Sequence, residues 1–495
     1  MPNLLNRIFG TRFEYDALKG AGKRKQAPPA NYREDQFTRG EKHRRLQGSA
    51  ADLARNLSLA MWMVRRHLDY VSQFEYKSRT GIDELDEQLK QLMIRSNRRH
   101  NADVARKFTR EKLFRLAECR RVLDGDTLLV KLNSGRLQGI QADLIRDPDD
   151  PMKSEDWISG VRIDRFGSPR QFGVYSRKGY LGKEFTRSID ARNTIFYGFF
   201  DRYAQDQVRG VSPLVSALNP LRDVYENFNY ALMKAKVSQL FALAFERDST
   251  EAPFPGDEEY GMGGTDPDGD HVQEPKGFQA FMKSDTRYVD LSPGEKVQII
   301  ESKQPSNEFQ SFTNLVIQVA LKALDIPYSF YDESFTNFFG SRSAWLHYER
   351  SCKDKRDDQI EMRREYTVWK YQEWIRDGLL SLPAGWTIED LKFEWVPLGM
   401  PWWDPSKEVK GQVASIDAGL DNPQNICKAT GTDFYENVDA ISHAMEYAEE
   451  RGVMLSFGKG GVVFTGQVTP TTNEEPEDDS EEETGEPDQD TEEES

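Results

Sequence analysis

Residues 325–366 read DIPYSFYDESFTNFFGSRSAWLHYERSCKDKRDDQIEMRREY, and three changes of character inside them decide the fold. Pro327 lacks the amide that a helix interior needs, so it stops the helix before it. Residues 328–340, YSFYDESFTNFFG, mix aromatics with Asn, Ser and Gly and carry no helical or alternating period, which is the mark of a loop. A very long helix then runs from Ser341 to about Asp377. It is too charged for a core (SCKDKRDDQIEMRREY) and is expected to pack along one narrow side only.

Upstream of that stretch, a helix is predicted over Asn307–Leu324, with Phe309, Phe312, Val316, Val319 and Ala323 on one side. RYVDLSPGEKVQIIES (287–302) reads as short strands about a Pro-Gly turn. Before it, Ser249–Gly277 is a long Gly, Pro and Asp-rich surface loop. A helical block opens near Val211 in SPLVSALNPLRDVYENFNYALMKAKVSQLFALAFER. Its apolar residues Leu214, Leu218, Leu221, Tyr225, Phe228 and Leu232 form a packing seam at nearly heptad spacing, which Pro220 must start, kink or interrupt. From Thr127 to Phe200 strand signals dominate, predicting a small mixed β domain with helices at its edges. Three helices precede it: Ser49–Gln73, where Leu53, Leu57, Met61, Val64, Leu68 and Val71 share a face, then Asp83–Asn97 and Asp103–Cys119. Gly125 and Asp126 mark the turn into the first strand.

The net charge of -17 is largely a property of one end. Residues 473–495 hold 14 Asp and Glu and no Lys or Arg, which leaves the rest of the chain near -3. With no apolar residue to offset ordering entropy, this tail is expected to be disordered. Residues 19–47 are basic and read as a mobile arm, touching nucleic acid or simply solvated. No signal segment and no apolar run of membrane-spanning length is evident, so a protein neither secreted nor membrane-spanning is expected.

Signatures of enzymes are missing. Cys119, Cys352 and Cys427 lie far apart, and the six His form no metal-binding spacing. Lys459 in FGKGG lacks the P-loop spacing, and DPDGDH (266–271) lacks the Gly and Glu of a calcium loop. No catalytic residue, metal or cofactor is expected.

Five passages nevertheless follow one another in a telling order: DGDTLLVKL with VRIDRFGSPRQFGVY; QVRGVSPLVSALNPLRD; VDLSPGEKVQ; DIPYSFYDESFTNFFGSRSAWLHYER; and MPWWDPSKEVKGQVASIDAGLDNPQNICKATGTD. In words and order they resemble the lambda-type family of phage portal proteins over roughly residues 31–457. The resemblance implies an α+β fold of wing, stem, clip and crown, with long helices and a small mixed β domain, assembled as a homo-oligomeric ring, typically a dodecamer, around a DNA channel. Carried onto this sequence, it places a basic arm at 1–48, wing at 49–212, a helical block leading to the stem at 213–248, clip at 249–305 and second stem helix at 306–331. A tunnel loop follows at 332–340, then the long helix and wing at 341–404, crown at 405–470 and the acidic tail at 471–495.

In the tunnel loop, Ser334, Phe335, Thr336, Asn337, Phe338 and Phe339, with Arg342 beside them, are the candidates to face DNA. A conduit cannot grip phosphates tightly, because many cationic contacts bind strongly, and Arg342 is the only nearby cation. For each Phe taken singly, a core plug is an equal reading. The resemblance also implies the partners: double-stranded DNA in transit, the large terminase subunit as packaging motor, head-tail adaptors, and major capsid and scaffolding proteins. It implies a place at the portal vertex of the virion after assembly in the host cytoplasm, with no membrane. Two other classes stay open: another phage head component, such as an adaptor or minor capsid protein, and a metal-dependent nuclease built from scattered carboxylates.

Overall fold

The computed structural model describes residues 35, 38, 41–149, 157–179, 182–200, 205–240, 243–247, 295–299, 307–332, 338–399 and 405–453. It sorts into two units, Met1–Thr432 and Asp433–Ser495. The Gly/Asp-rich insertion, DPDGDH, Lys459 and the acidic tail all lie outside the described residues.

The first predicted helix is two helices, α1 (Glu41–Asn56) and α2 (Ser58–Val71), separated by Leu57 with extended backbone. The three- and four-residue spacing runs straight through Leu57, which is itself buried, so the pattern does not register the break. Asn56 and Ser58 flank it, side chains that favour caps over helix interiors. α1 also corrects the expected arm boundary at 48. It begins inside the arm because His43 and Gln47 are buried, His43 Nε2 meeting the Gly210 carbonyl at 2.8 Å.

α3 (Asp83–Ser96) stands where predicted, and the four-residue α4 (Arg99–Ala102) follows. The next helix starts later and ends later than expected, as α5 (Arg110–Asp124). The Asp103 carboxylate accepts the amides of Ala105, Lys107 and Phe108 at 3.1, 2.9 and 3.1 Å and so holds a turn in place of a helix. Thr109 caps the true start, and Gly125, at φ 97°, ends the helix.

Two antiparallel sheets form the β part. β2 (Asp126–Lys131) is central between β3 (Leu137–Gln141) and β8 (Thr194–Gly198). A meander of β4 (Trp157–Ile158), β5 (Val161–Ile163), β6 (Pro169–Lys178) and β7 (Gly182–Asp190) makes the other. Alternation along β2 divides its side chains between two cores: Leu129 joins the cluster with Phe114, while Leu128 and Val130 join Val161, Phe172 and Ile189 of the meander.

α6 (Leu218–Leu240) follows a 3-10 turn, Pro213–Ala217, and Pro220 sits in its first turn. The end of the predicted helical block is a strand, β9 (Leu243–Arg247), paired antiparallel with β10 (Glu295–Ile299). Helix period and short apolar strand cannot be told apart in a run such as FALAFER, and the partner lies far downstream. α7 (Asn307–Leu321) packs on α6 and closes with a 3-10 turn, Lys322–Leu324. Its intramolecular face overlaps the predicted one only in part: Thr313, Ile317, Ala320, Leu321 and Leu324 are buried and Val316 and Ala323 pack against the same core, whereas Phe312 and Val319 are exposed.

α8 (Phe338–Arg376) has 39 residues and a length of about 58 Å. It packs along one side, as expected, and that stripe widens past Met362. Tyr348, Cys352, Gln359, Met362, Arg363, Tyr366, Thr367 and Tyr371 are all essentially buried. Among its buried charges, Arg363 pairs with Glu111 at 2.7 Å, donates to the Ser72 carbonyl at 3.2 Å and lies over the rings of Phe74, Phe114 and Trp395, while its Nε has no hydrogen-bond acceptor among the described residues. β1 (Phe74–Ser78) pairs with β11 (Phe393–Pro397) beside it. α9 (Pro405–Asp417) and α10 (Pro423–Ala429) complete the first unit, and α11 (Phe434–Glu449), capped by Asp433, is the described helix of the second. No helix among the described residues is long and apolar enough to cross a membrane.

Candidate functional site

The segment joining α7 to α8 is built on anchors at both sides. Asp325, in the left-handed conformation at φ 60°, breaks away from the 3-10 turn. Its carboxylate accepts from Ser351 Oγ at 2.6 Å and Lys355 Nζ at 2.9 Å. Partial burial works to raise the Asp325 pKa, but the Lys355 charge and these hydrogen bonds hold it below the ordinary value. Ile326 is buried, and Tyr328, Phe330 and Tyr331 then enter an aromatic cluster. Phe330 lies 5.3 Å from Tyr348 and 5.8 Å from Tyr70, and Tyr331 lies 6.1 Å from Trp62. The amide of Asp332 donates to the Tyr328 carbonyl at 3.0 Å.

Beyond that collar, Ser334, Phe335, Thr336 and Asn337 lie outside the described residues. Phe338 and Phe339 belong to the first turn of α8 rather than to a loop, and Arg342 follows on the next turn. Arg342 pairs with Glu408 of α9 at 3.8 Å, so part of its charge is already answered within the chain.

A second arrangement escaped sequence reading. Arg209 makes a two-pronged pair with Asp126, at 2.6 and 2.8 Å, and also donates to the carbonyls of Ile145, Ser159 and Ala142. The amide of Gly210 completes the Asp126 carboxylate at 2.9 Å. Gly125 and Gly210 approach so closely that a Cβ on either would overlap the other's carbonyl oxygen. The passages DGDTLLVKL and QVRGVSP, more than 80 residues apart, are therefore two halves of one joint, with His43 and Ser212 bonded into it. A sequence signal did exist: Gly-Asp in one passage and Arg-Gly in the other set opposite charges beside glycines.

Next to this joint, Glu118 is fully buried among His67, Tyr197, Arg121 and Gln359; His67 Nε2 stands 2.6 Å and Gln359 Nε2 3.0 Å from its carboxylate. Burial would raise the Glu118 pKa, yet Arg121 and His67 hold it far below the usual carboxylate range. Burial lowers the His67 pKa in turn. With no open face toward solvent, the cluster is arranged to lock α2, α5, β8 and α8 together. An open groove of about 860 Å³ between β8 and α8 has a mixed lining that includes Arg192, Phe196, Glu361, Arg364 and Trp369. Among the described residues no group of three or more His, Cys, Asp or Glu could hold a metal.

Comparison with known proteins gives the context for this scaffold. The chain matches the family model "Phage portal protein, lambda family" over residues 22–356, more than half its length. It is 22% identical over 372 residues to a "Probable portal protein" of Halomonas phage phiHAP-1, an alignment covering 70% of this chain and 66% of that one, so the chain spans a little under two thirds of its relative. Among solved structures it is similar to a chain in "Neck of empty GTA particle computed with C6 symmetry", with TM-score 0.42 and 13% identity over 78% of this chain and 94% of that one. A chain in "Virion of native gene transfer agent (GTA) particle" gives TM-score 0.41 and 13% identity over 78% and 93%. On the extent of the family match, the chain belongs to the lambda family of phage portal proteins.

Proposed function

We propose that this chain is the ring subunit of a phage portal, forming the axial conduit through which double-stranded DNA is packaged and later released. The observation that carries the reading, beside the family, is a pair of uncovered apolar faces. Tyr225, Phe228 and Leu232 on α6, and Phe312, Leu315 and Val319 on α7, are 42–56% exposed although each set recurs at helical spacing. Covering such half-exposed side chains yields roughly 1 kcal/mol apiece. A second copy meeting them by a head-to-tail contact closes into a ring or runs on as a filament, and a conduit requires closure.

In this reading the helices and sheets before Pro405 supply stem and wing, the helices from Pro405 onward supply the crown, and β9 with β10 leads into the clip. Ser334, Phe335, Thr336, Asn337, Phe338 and Phe339 line the passage, with Arg342 held partly in check by Glu408. The large terminase subunit, head-tail adaptors, and capsid and scaffolding proteins are the partners at the vertex, and packaging energy comes from the motor rather than from this chain. The count in this reading is twelve subunits. Asn337→Lys is the test of the lining. It adds one cation per subunit at a single height, and each further phosphate neutralised steepens the salt dependence of DNA binding by a slope of about 0.9. The variant ring is expected to assemble normally and package less DNA, with the defect easing as salt rises. Full packaging at low salt would remove the loop from the channel.

A further inference from the structure

At the far end of α8 the surface carries a concentrated positive charge that the conduit does not use. Arg95, Arg98, Arg99, Arg106, Lys107 and Lys112 are all exposed. They come from the end of α3, the turn through α4, the 103–108 loop and the first turn of α5, and hydrogen bonds to the backbone tie these pieces together. The amide of Arg110 donates to Asn97 O at 3.3 Å, the amide of Val104 to Leu137 O at 3.1 Å, and Asn101 Nδ2 to Arg95 O at 2.9 Å. The two carboxylates within this stretch are already engaged: Asp103 by three amides, Glu111 by Arg110 and Arg363. Among the described residues none of the six cations forms an ion pair with a carboxylate.

The patch is also held ready. Arg106 sits at φ 57°, an unusual conformation for a residue with a Cβ, and the Asp103 turn keeps it there. Arg136 Nε donates to His100 O at 2.8 Å and adds a seventh cationic side chain at the edge. The helix macrodipole accounts for Arg95 at the C-terminal turn of α3, but Lys112 lies at the N-terminal turn of α5, where a cation is disfavoured. Lys370, near the patch through its bond to Gly135 O, is 32 residues from Phe338, so the patch and the channel segment are separated by about 48 Å along α8.

We propose that this surface binds the sugar-phosphate backbone of duplex DNA outside the axial channel. The supply of DNA rests on the portal reading; the patch itself does not. Protein interface cores are depleted in charge and enriched in large apolar groups. Here Ile94, Val104 and Phe108 are exposed only singly among the cations, which favours a polyanion over an apolar partner. A preformed array loses little entropy on binding.

A covalently closed circular duplex is the probe, because it cannot thread an axial hole. The full-length chain is compared with Arg98→Gln/Arg99→Gln/Lys107→Gln and with Arg165→Gln/Arg170→Gln/Lys178→Gln, which removes three exposed charges from the meander instead. The patch variant should melt as the parent does, bind the circle at least ~10-fold more weakly, and show a salt slope flatter by about 0.9 for each phosphate no longer neutralised. The meander variant should stay within about twofold of the parent. Equal weakening in both variants, or unchanged binding by the patch variant, would overturn the assignment. Polyglutamate binding that disappears with the patch charges while circle binding persists would overturn it in favour of an acidic protein segment. Electron micrographs of the same samples separate the two levels: absence of rings in the parent defeats the portal reading, whereas rings with unchanged circle binding defeat the patch alone.

Discussion

At the residue scale, Asp126 and Arg209 show how a buried charge can be tolerated and still be exacting. Both are almost inaccessible, and every strong donor of the guanidinium has an acceptor. Arg209→Met would strand the carboxylate in the interior, a change that typically costs about 3–5 kcal/mol. Urea unfolding should show a loss of that size, and Asp126→Asn in the same chain should recover part of it; strict additivity would mean that the two do not act as one joint. Asp124, two residues before Asp126, behaves oppositely. Burial pushes its carboxyl up to about 6 despite Arg120 at 3.2 Å. Between about pH 4 and 6 the fold therefore binds a proton that the unfolded chain has released, so this group's contribution is most favourable at low pH and is lost as pH rises through 6. Asp124→Asn should be more stable than the parent by about 1–3 kcal/mol near pH 8, with the gap narrowing below pH 6 and closing toward pH 4. A gap independent of pH would contradict it. The Asp126–Arg209 joint was not legible beforehand, because an Asp and an Arg more than 80 residues apart leave no periodic trace. Only the neighbouring glycines hinted that two backbones meet there.

At the scale of elements, periodicity told which residues share a face and not which face looks inward. The seam Leu214–Leu232 divides in the structure: Leu214, Leu218 and Leu221 are core, while Tyr225, Phe228 and Leu232 are not. On α7 the predicted stripe divides too: Phe312 and Val319 are exposed, Val316 and Ala323 pack on the core, and Thr313, Ile317, Ala320 and Leu324 complete the inner face. An apolar stripe destined for another copy obeys the same spacing as one destined for the core, so the two can be separated only by folding the chain. The break at Leu57 and the strand β9 were hidden for related reasons. One preserves the period, and the other owes its existence to a partner on the far side of a long insertion. Leu232→Asp with Phe312→Asp should leave the melting temperature of the isolated subunit nearly unchanged while abolishing higher oligomers in sedimentation. Ile317→Ala, by contrast, should lower stability by about 2–5 kcal/mol. Dissociation by the core variant with normal assembly of the Asp pair would reverse the assignment of faces.

At the scale of the whole molecule, what the sequence made legible was the order of passages. Strand-turn words around Gly125, the Arg209–Pro213 link, the Tyr328–Tyr331 aromatics before α8 and the Asn-Pro start of α10 each mark a junction in the structure, where backbone geometry narrows the choice of residue. The faces between junctions need only stay apolar and are not individually recognisable. The proposal that neighbouring copies cover the exposed stripes of α6 and α7 makes one demand of the whole molecule: the assembly must close. Electron microscopy of the purified full-length chain tests that claim most directly. Closed rings of uniform rotational symmetry with an axial opening are expected. Monomers, or open filaments without an axial hole, at every salt concentration would contradict it.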